Sequence, residues 1–322
     1  MGGAVESGGT VRNWDLPSLE ARVVRYRDLV PCRNAFIDTR TPGSNAKENF
    51  TIIGPGVAEN PEQHVHITEA HGFNIGGARQ PPRCTNSQHS HDTAEVFVVH
   101  TGRWRFTFGE HGTDAQVDAE PGDVVSFPIH AFRGFENIGE ETGFLWSVLG
   151  GDDPGRVLWA PKVFEMAEQY GLILLENGAL VDTTAGQSAP AGVSPMPVTG
   201  PEAIARLRKM RPEDENEIIA RAPRPRRSGE QLIIGRGGQL PPAEGFTVSR
   251  LVLEPDETYA ADISPHPEVV FVQDGSAEVR AAQATVNLAK GDTITVPRDL
   301  ERSYRAQSEG AELIIVRGTG SA

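Results

Sequence analysis

Internal repetition constrains this chain more than any local feature. Around Gly72-Phe73 the sequence reads GFNIGGARQPP and later EVFVVHTG, ending at Gly102. Around Gly245-Phe246 it reads GFTVSRLVLEP and later EVVFVQDG, ending at Gly275. Both pairs of landmarks lie 30 residues apart, at a shared offset of 173 that also places Glu95 on Glu268 and Pro82 on Pro255. Gly122-Asp123 with Pro128 matches Gly291-Asp292 with Pro297 at an offset of 169, and the four-residue difference falls in the acidic segment 109–120. Self-similarity on this scale predicts two copies of one domain, roughly 48–160 and 229–318.

Both copies read as β-structure. RWRFTF at 103–108 alternates, so Trp104, Phe106 and Phe108 share a face. Residues 95–101 and 268–274 are apolar and β-branched, and each run stops at glycine. Gly-Asp before VVSFP and TITVP marks a tight turn feeding a strand that ends at proline. Many short strands between Gly/Pro turns imply a sandwich or barrel. The division expected is an N-terminal arm 1–47, a first barrel 48–160, a linker 161–228 and a second barrel 229–322. In the linker, Pro161 to Tyr170 has helical spacing and stops at Gly171, and Asn177-Gly178 marks a hairpin turn. Thr199 and Glu202 form a candidate capping box for a helix to about Met210. RAPRPRR at 221–227 is the one basic cluster and reads as a solvated linker.

Composition closes off several functions. Of 322 residues, 30 are Lys or Arg and 44 Asp or Glu, a net charge of −14 that disfavours nucleic-acid binding. No apolar run approaches a membrane span. The start MGGAVESGGT lacks a basic, apolar leader, and two cysteines are too few for a disulfide framework, so the cytoplasm is expected.

The chemistry concentrates in one segment. Eight of nine histidines lie at or before residue 130, and the dense run is His89-Ser90-His91-Asp92-Thr93-Ala94-Glu95. On a strand, positions 89, 91 and 95 share parity, so two imidazoles and a carboxylate face one way. That donor set suits a divalent metal with open coordination positions: Fe(II) first, with Mn, Ni or Zn using the same ligands. His64-x-His66 repeats the spacing without a following carboxylate and reads as a surface strand. Cys84 reads as a buried, inert thiol. Phe97 and Trp104 are barrel interior that could touch a substrate, and Asn137 shares parity with Arg133 and Phe135.

At these residues the sequence resembles the cupin superfamily, and the duplication resembles a bicupin. His89, His91, Glu95 and Gly102 match the first cupin motif, with Arg83 at its leading glycine. Gly122, Pro128 and Asn137 match the second, with His130 at its second glycine and Arg133 at its histidine. The resemblance implies a mainly β fold, two tandem jelly-roll barrels with a metal inside, and homodimers. It implies no single reaction, because cupins range from dioxygenases and isomerases to storage proteins. Guanidinium does not coordinate a cation, so three arrangements stay open at Arg133. The metal keeps His89, His91 and Glu95 while Arg133 pairs with a substrate anion; or His130 replaces the missing ligand; or Arg133 pairs with Glu95 and the pocket holds no metal. In the second copy the motif positions become Asp262, Ser264 and Arg302, with His266 nearby, so that copy is expected to be structural.

The function expected is a metal-dependent oxidoreductase of dioxygenase type. It would carry one metal ion per chain on His89, His91 and Glu95, with His130 a further candidate. Arg133 and Glu95 would be catalytic, and a small organic acid would be bound with help from Arg133, Trp104, Phe97 and Asn137. A metal-dependent isomerase or lyase, and a non-catalytic binding module, are the alternatives.

Overall fold

The computed structural model describes residues 15–320. The first repeat forms a barrel from two sheets. The seven-stranded sheet runs in the order Ile219–Ala220, Val124–Phe127, Glu95–Thr101, Gly143–Gly150, Phe73–Gln80, Glu48–Ile53 and Val65–Ile67. The five-stranded sheet runs Val157–Trp159, Thr85–His91, Arg133–Asn137, Trp104–Phe108 and Ala115–Ala119. Gly102, at φ +84, turns the chain from one sheet to the other; a Cβ there would sit 2.7 Å from the Gly143 Cα. Only glycine meets both demands.

In the second repeat the same strands are merged. Glu268–Ala281 and Arg302–Gly318 run unbroken through one eight-stranded sheet. The turn that Gly102 makes is replaced by register shifts around Gly275. The shorter second copy thus replaces a sharp corner with bulges.

Strand alternation explains why VFVV is apolar throughout. Phe97 and Val99 point into the first barrel with Trp104, Phe106, Phe127 and Phe135. Val96 and Val98 point outward, yet they too are buried, because the seven-stranded sheet packs against the second barrel. Phe144, Trp146 and Val148 meet Val269, Phe271, Ile314 and Val316 in that shared layer, while Val270 and Val272 fill the second barrel. The Trp146 and Phe271 rings stack at 4.9 Å, and the indole N–H donates to Thr293 Oγ1 at 3.2 Å. A strand buried on both faces loses the polar half of its pattern.

The connecting segments tie the barrels together. Val23–Val24 of the arm adds to the second barrel beside Thr293–Val296. Ile219–Ala220 of the linker adds to the first barrel beside Val124 and Val125. The helix Pro161–Gln169 and the hairpin Leu172–Leu174 with Leu180–Asp182 form where their signals lie. The expected capping box does not: the helix there is only Pro201–Ala205, capped by Gly200, because the Thr199 hydroxyl donates to the Trp159 carbonyl instead. The basic cluster is not a free solvated linker either. Arg221 pairs with Asp123 of the first barrel, and Arg226 with Asp274 and Glu312 of the second. No helix among the described residues is long and apolar enough to cross a membrane.

Candidate metal centre

His89 and His91 end the strand Thr85–His91 in the five-stranded sheet. The chain then leaves strand geometry for three residues and re-enters at Glu95, which opens a strand of the seven-stranded sheet. Their convergence therefore comes from two sheets closing over the barrel interior, and not from parity along one strand. One ligand-type atom from each of the three lies within 4.8 Å of the others, and all three side chains are buried.

The local hydrogen bonds prepare the imidazoles. His89 Nδ1 lies 2.7 Å from the Ser87 carbonyl oxygen, so Nδ1–H donates there and Nε2 carries the lone pair. The buried His91 ring lies beside the Arg156 backbone, which offers it at most a weak hydrogen bond. Burial first, and then the Arg133 cation, hold both imidazoles well below the ordinary histidine pKa, so both are neutral, the form that coordinates metal. These features fit a divalent ion held by His89, His91 and Glu95.

Arg133 pairs with Glu95, while His89, His91 and Glu95 stay together as a ligand set. It is the cross-strand partner of His89 and is almost wholly buried. Its Nε and Nη2 both donate to Glu95 Oε2, at 3.1 and 2.5 Å. Glu95 Oε1 remains turned to His91 Nε2 at 3.7 Å. One oxygen is held by the cation and the other faces the imidazoles. Arg133 is not among the residues lining the cavity, which corrects the expectation that it grips a substrate carboxylate directly.

The remaining expected site residues separate. Phe97 lines the cavity, with Phe36, Asn49, Phe135 and Trp159; its volume is about 70 Å³. Trp104 does not: it is core, and its indole donates to the Thr101 carbonyl. Asn137 does not either, since its amide donates to the carbonyls of Gln80 and Glu141. His130 is no member of the cluster. It sits at φ +61 at a corner, more than half exposed, with Nε2 3.2 Å from Asp92 Oδ1. Cys84 is buried, and burial raises its thiol pKa.

The structure adds residues that no sequence signal marked. Trp159 lies 5.2 Å from His89, ring to ring, and its indole donates to Glu59 Oε1 at 2.6 Å. Glu59 Oε2 accepts from the Ile37 N–H at 2.7 Å, and burial pushes this carboxyl up to about 8. Lys47, fully buried, pairs with Asp38 and donates to Asn86 Oδ1 at 2.7 Å. Arm residues Ile37, Asp38 and Lys47 thus pack on the barrel beside the cavity, a tertiary arrangement without local pattern.

The second barrel keeps the pair and loses the site. Glu268 accepts from Arg302 Nε and Nη2 at 3.0 and 3.1 Å, from Arg317 at 2.5 Å and from the Tyr304 hydroxyl. Both its oxygens are occupied, and among the described residues no imidazole is hydrogen-bonded or ion-paired to it.

Residues 78–149 match the cupin domain family. A germin-like protein of Arabidopsis thaliana, subfamily 1 member 4, is 29% identical over 141 residues, covering 42% of this chain and 63% of that protein. The chain thus spans less than two thirds of that relative's length. Oxalate decarboxylase from Bacillus subtilis superposes over 96% of this chain and 77% of its own, with a TM-score of 0.58 at 14% identity. The coconut allergen cocosin does so over 92% and 85%, with a TM-score of 0.56 at 15% identity. At such identities the likeness concerns the fold, and one of these proteins is an enzyme by name while the other is an allergen. A cupin match over residues 78–149, its motif folded into a buried His-His-Glu cluster, and a second barrel of the same build in tandem give this chain a cupin domain and the two-barrel fold of bicupins.

Proposed function

We propose that this two-barrel protein is a metal-dependent oxidoreductase with one mononuclear site, in the first barrel, acting on a small organic acid with O₂. The observation that carries the reading is the buried His89, His91 and Glu95 cluster opening on a partly open, mainly apolar cavity. Three protein ligands leave positions free for substrate and O₂. A bound Fe(II) ion would supply Lewis acidity and a route for electrons. The chain's own contribution is geometric and dielectric. Ser87 sets the His89 tautomer, Arg133 orients Glu95, and Phe36, Phe97, Phe135 and Trp159 keep water from the reacting atoms.

The test is metal content per chain by mass spectrometry, followed by an oxygen-uptake screen over small carboxylic acids. The expected result is about one equivalent of Fe or Mn, lost in Glu95→Ala, with oxygen uptake that a chelator abolishes. Undiminished turnover by metal-free protein would overturn the reading. Turnover in strictly anaerobic buffer would remove the oxidoreductase assignment and leave an isomerase or lyase.

A further inference from the structure

The ionisable groups buried around the cavity compensate one another. Arg133 cancels Glu95. Lys47 and Asp38, both fully buried, cancel each other. Glu59 retains its proton through neutral pH, with a pKa of about 8 caused first by burial. The imidazoles of His89 and His91 are neutral. The protein around the cavity therefore presents no net charge to a bound ion.

An ordinary site of two histidines and one carboxylate leaves a divalent ion with one net positive charge. Here the guanidinium restores the charge that the carboxylate removes. Resting on the metal reading above, we propose that Arg133 is a positioning residue that holds Glu95 by Oε2 and cancels its charge, so that the loaded site keeps two positive charges and selects a dianionic, chelating small acid. A double positive charge on buried ligands in a largely apolar cavity is costly until a ligand neutralises it. Two negative charges on one small molecule do so completely, and one does not. One unit charge about 6 Å away, at an effective dielectric near 20, changes an anion's affinity by about a hundredfold. The second barrel separates this role from a merely inherited pair. Arg302 repeats Arg133, but there Arg317 and Tyr304 also bind the carboxylate, leaving no oxygen for an ion.

Full-length protein loaded with Co(II), whose visible spectrum reports its ligands, is titrated with malonate and with malonamate. The monoamide keeps the size and chelating shape and lacks one charge. Wild type is expected to bind malonate at least tenfold more tightly than malonamate. Arg133→Gln with one cobalt per chain is expected to lose most of that ratio, and Arg133→Lys to keep it. An arginine of purely structural use would alter stability and leave the ratio unmoved. Equal affinities in the wild type overturn the proposal even if the glutamine variant fails to fold, and so does an unchanged ratio in cobalt-loaded Arg133→Gln. Wild type that takes up no cobalt overturns the metal reading itself, so the two failures are distinct.

Discussion

Glu59 lies outside every motif, yet it joins the arm to the cavity wall through Ile37 and Trp159. Its carboxyl titrates near the ordinary value of 4.5 in an unfolded chain and near 8 in the folded one. Between those values the folded protein holds a proton that the unfolded chain has released, so raising the pH favours unfolding. Its contribution to stability is complete below about pH 4.5 and is lost as the pH climbs through about 8. Glu59→Gln cannot titrate. It should start less stable, because its NH₂ must oppose one of the two N–H donors, but its deficit should shrink steadily from pH 5 to 8. Urea unfolding of both proteins across that range checks this, and a constant difference would refute it. At this scale the sequence was partly legible. His89, His91 and Glu95 lie within seven residues, and closure of the barrel brings them together. Parity misled for Asn137 because it fixes a side chain's face and not its depth. Asn137 pairs with Trp104, whereas Arg133 pairs with Phe108 and His89. Four steps along the strand separate them by about 13 Å, toward the opposite end of the barrel from the metal cluster. His130 shows the complementary limit, since a corner at positive φ aims its ring outward and no spacing rule reports that.

Elements that carry charge were harder to read than elements that carry apolar pattern. The strands announced themselves by alternation, but the basic run at 221–227 looked free because its acidic partners lie about a hundred residues upstream and about fifty to ninety downstream. Arg226 crosses to Asp274 and Glu312 while remaining half exposed. Behind it, Arg250 is almost wholly buried, 3.0 Å from Glu312 Oε1, and donates to the Gly122 carbonyl of the first barrel. Solvent screens the first cation and not the second. Arg226→Ala should cost about 1 kcal/mol or less and be blunted by salt. Arg250→Ala leaves the buried Glu312 carboxylate with only the half-exposed Arg226 and should cost about 3 kcal/mol, with less dependence on salt. Urea midpoints at low and high ionic strength measure both. Comparable costs would mean that the linker contributes as much at the barrel contact as the buried arginine.

The whole molecule is best described as two barrels sharing a third core. The layer around Trp146 and Phe271 belongs to neither repeat alone, and the arm and linker each lend a strand across it or beside it. The repeat was legible as duplication, but the shared layer was not, because outward-facing apolar residues on a strand look the same whether they meet a helix, a partner or a second barrel. If that layer couples the barrels, damage inside the second must be felt in the first. Nature supplies the reporter: the chain's tryptophans are Trp14, Trp104, Trp146 and Trp159, none in the second repeat. Leu313 is fully buried inside the second barrel, in a core distinct from the shared layer. Leu313→Ala should cost about 2–5 kcal/mol by leaving a cavity. In a two-state molecule the tryptophan fluorescence transition and the far-ultraviolet circular dichroism transition should then shift together to lower urea, with midpoints that coincide. The same substitution should also weaken metal retention at His89, His91 and Glu95 near the transition, since the ligands come from two sheets and one of them packs on the second barrel. Two separated transitions, with fluorescence unmoved, would show barrels that fold independently and a second repeat whose influence ends at its own surface.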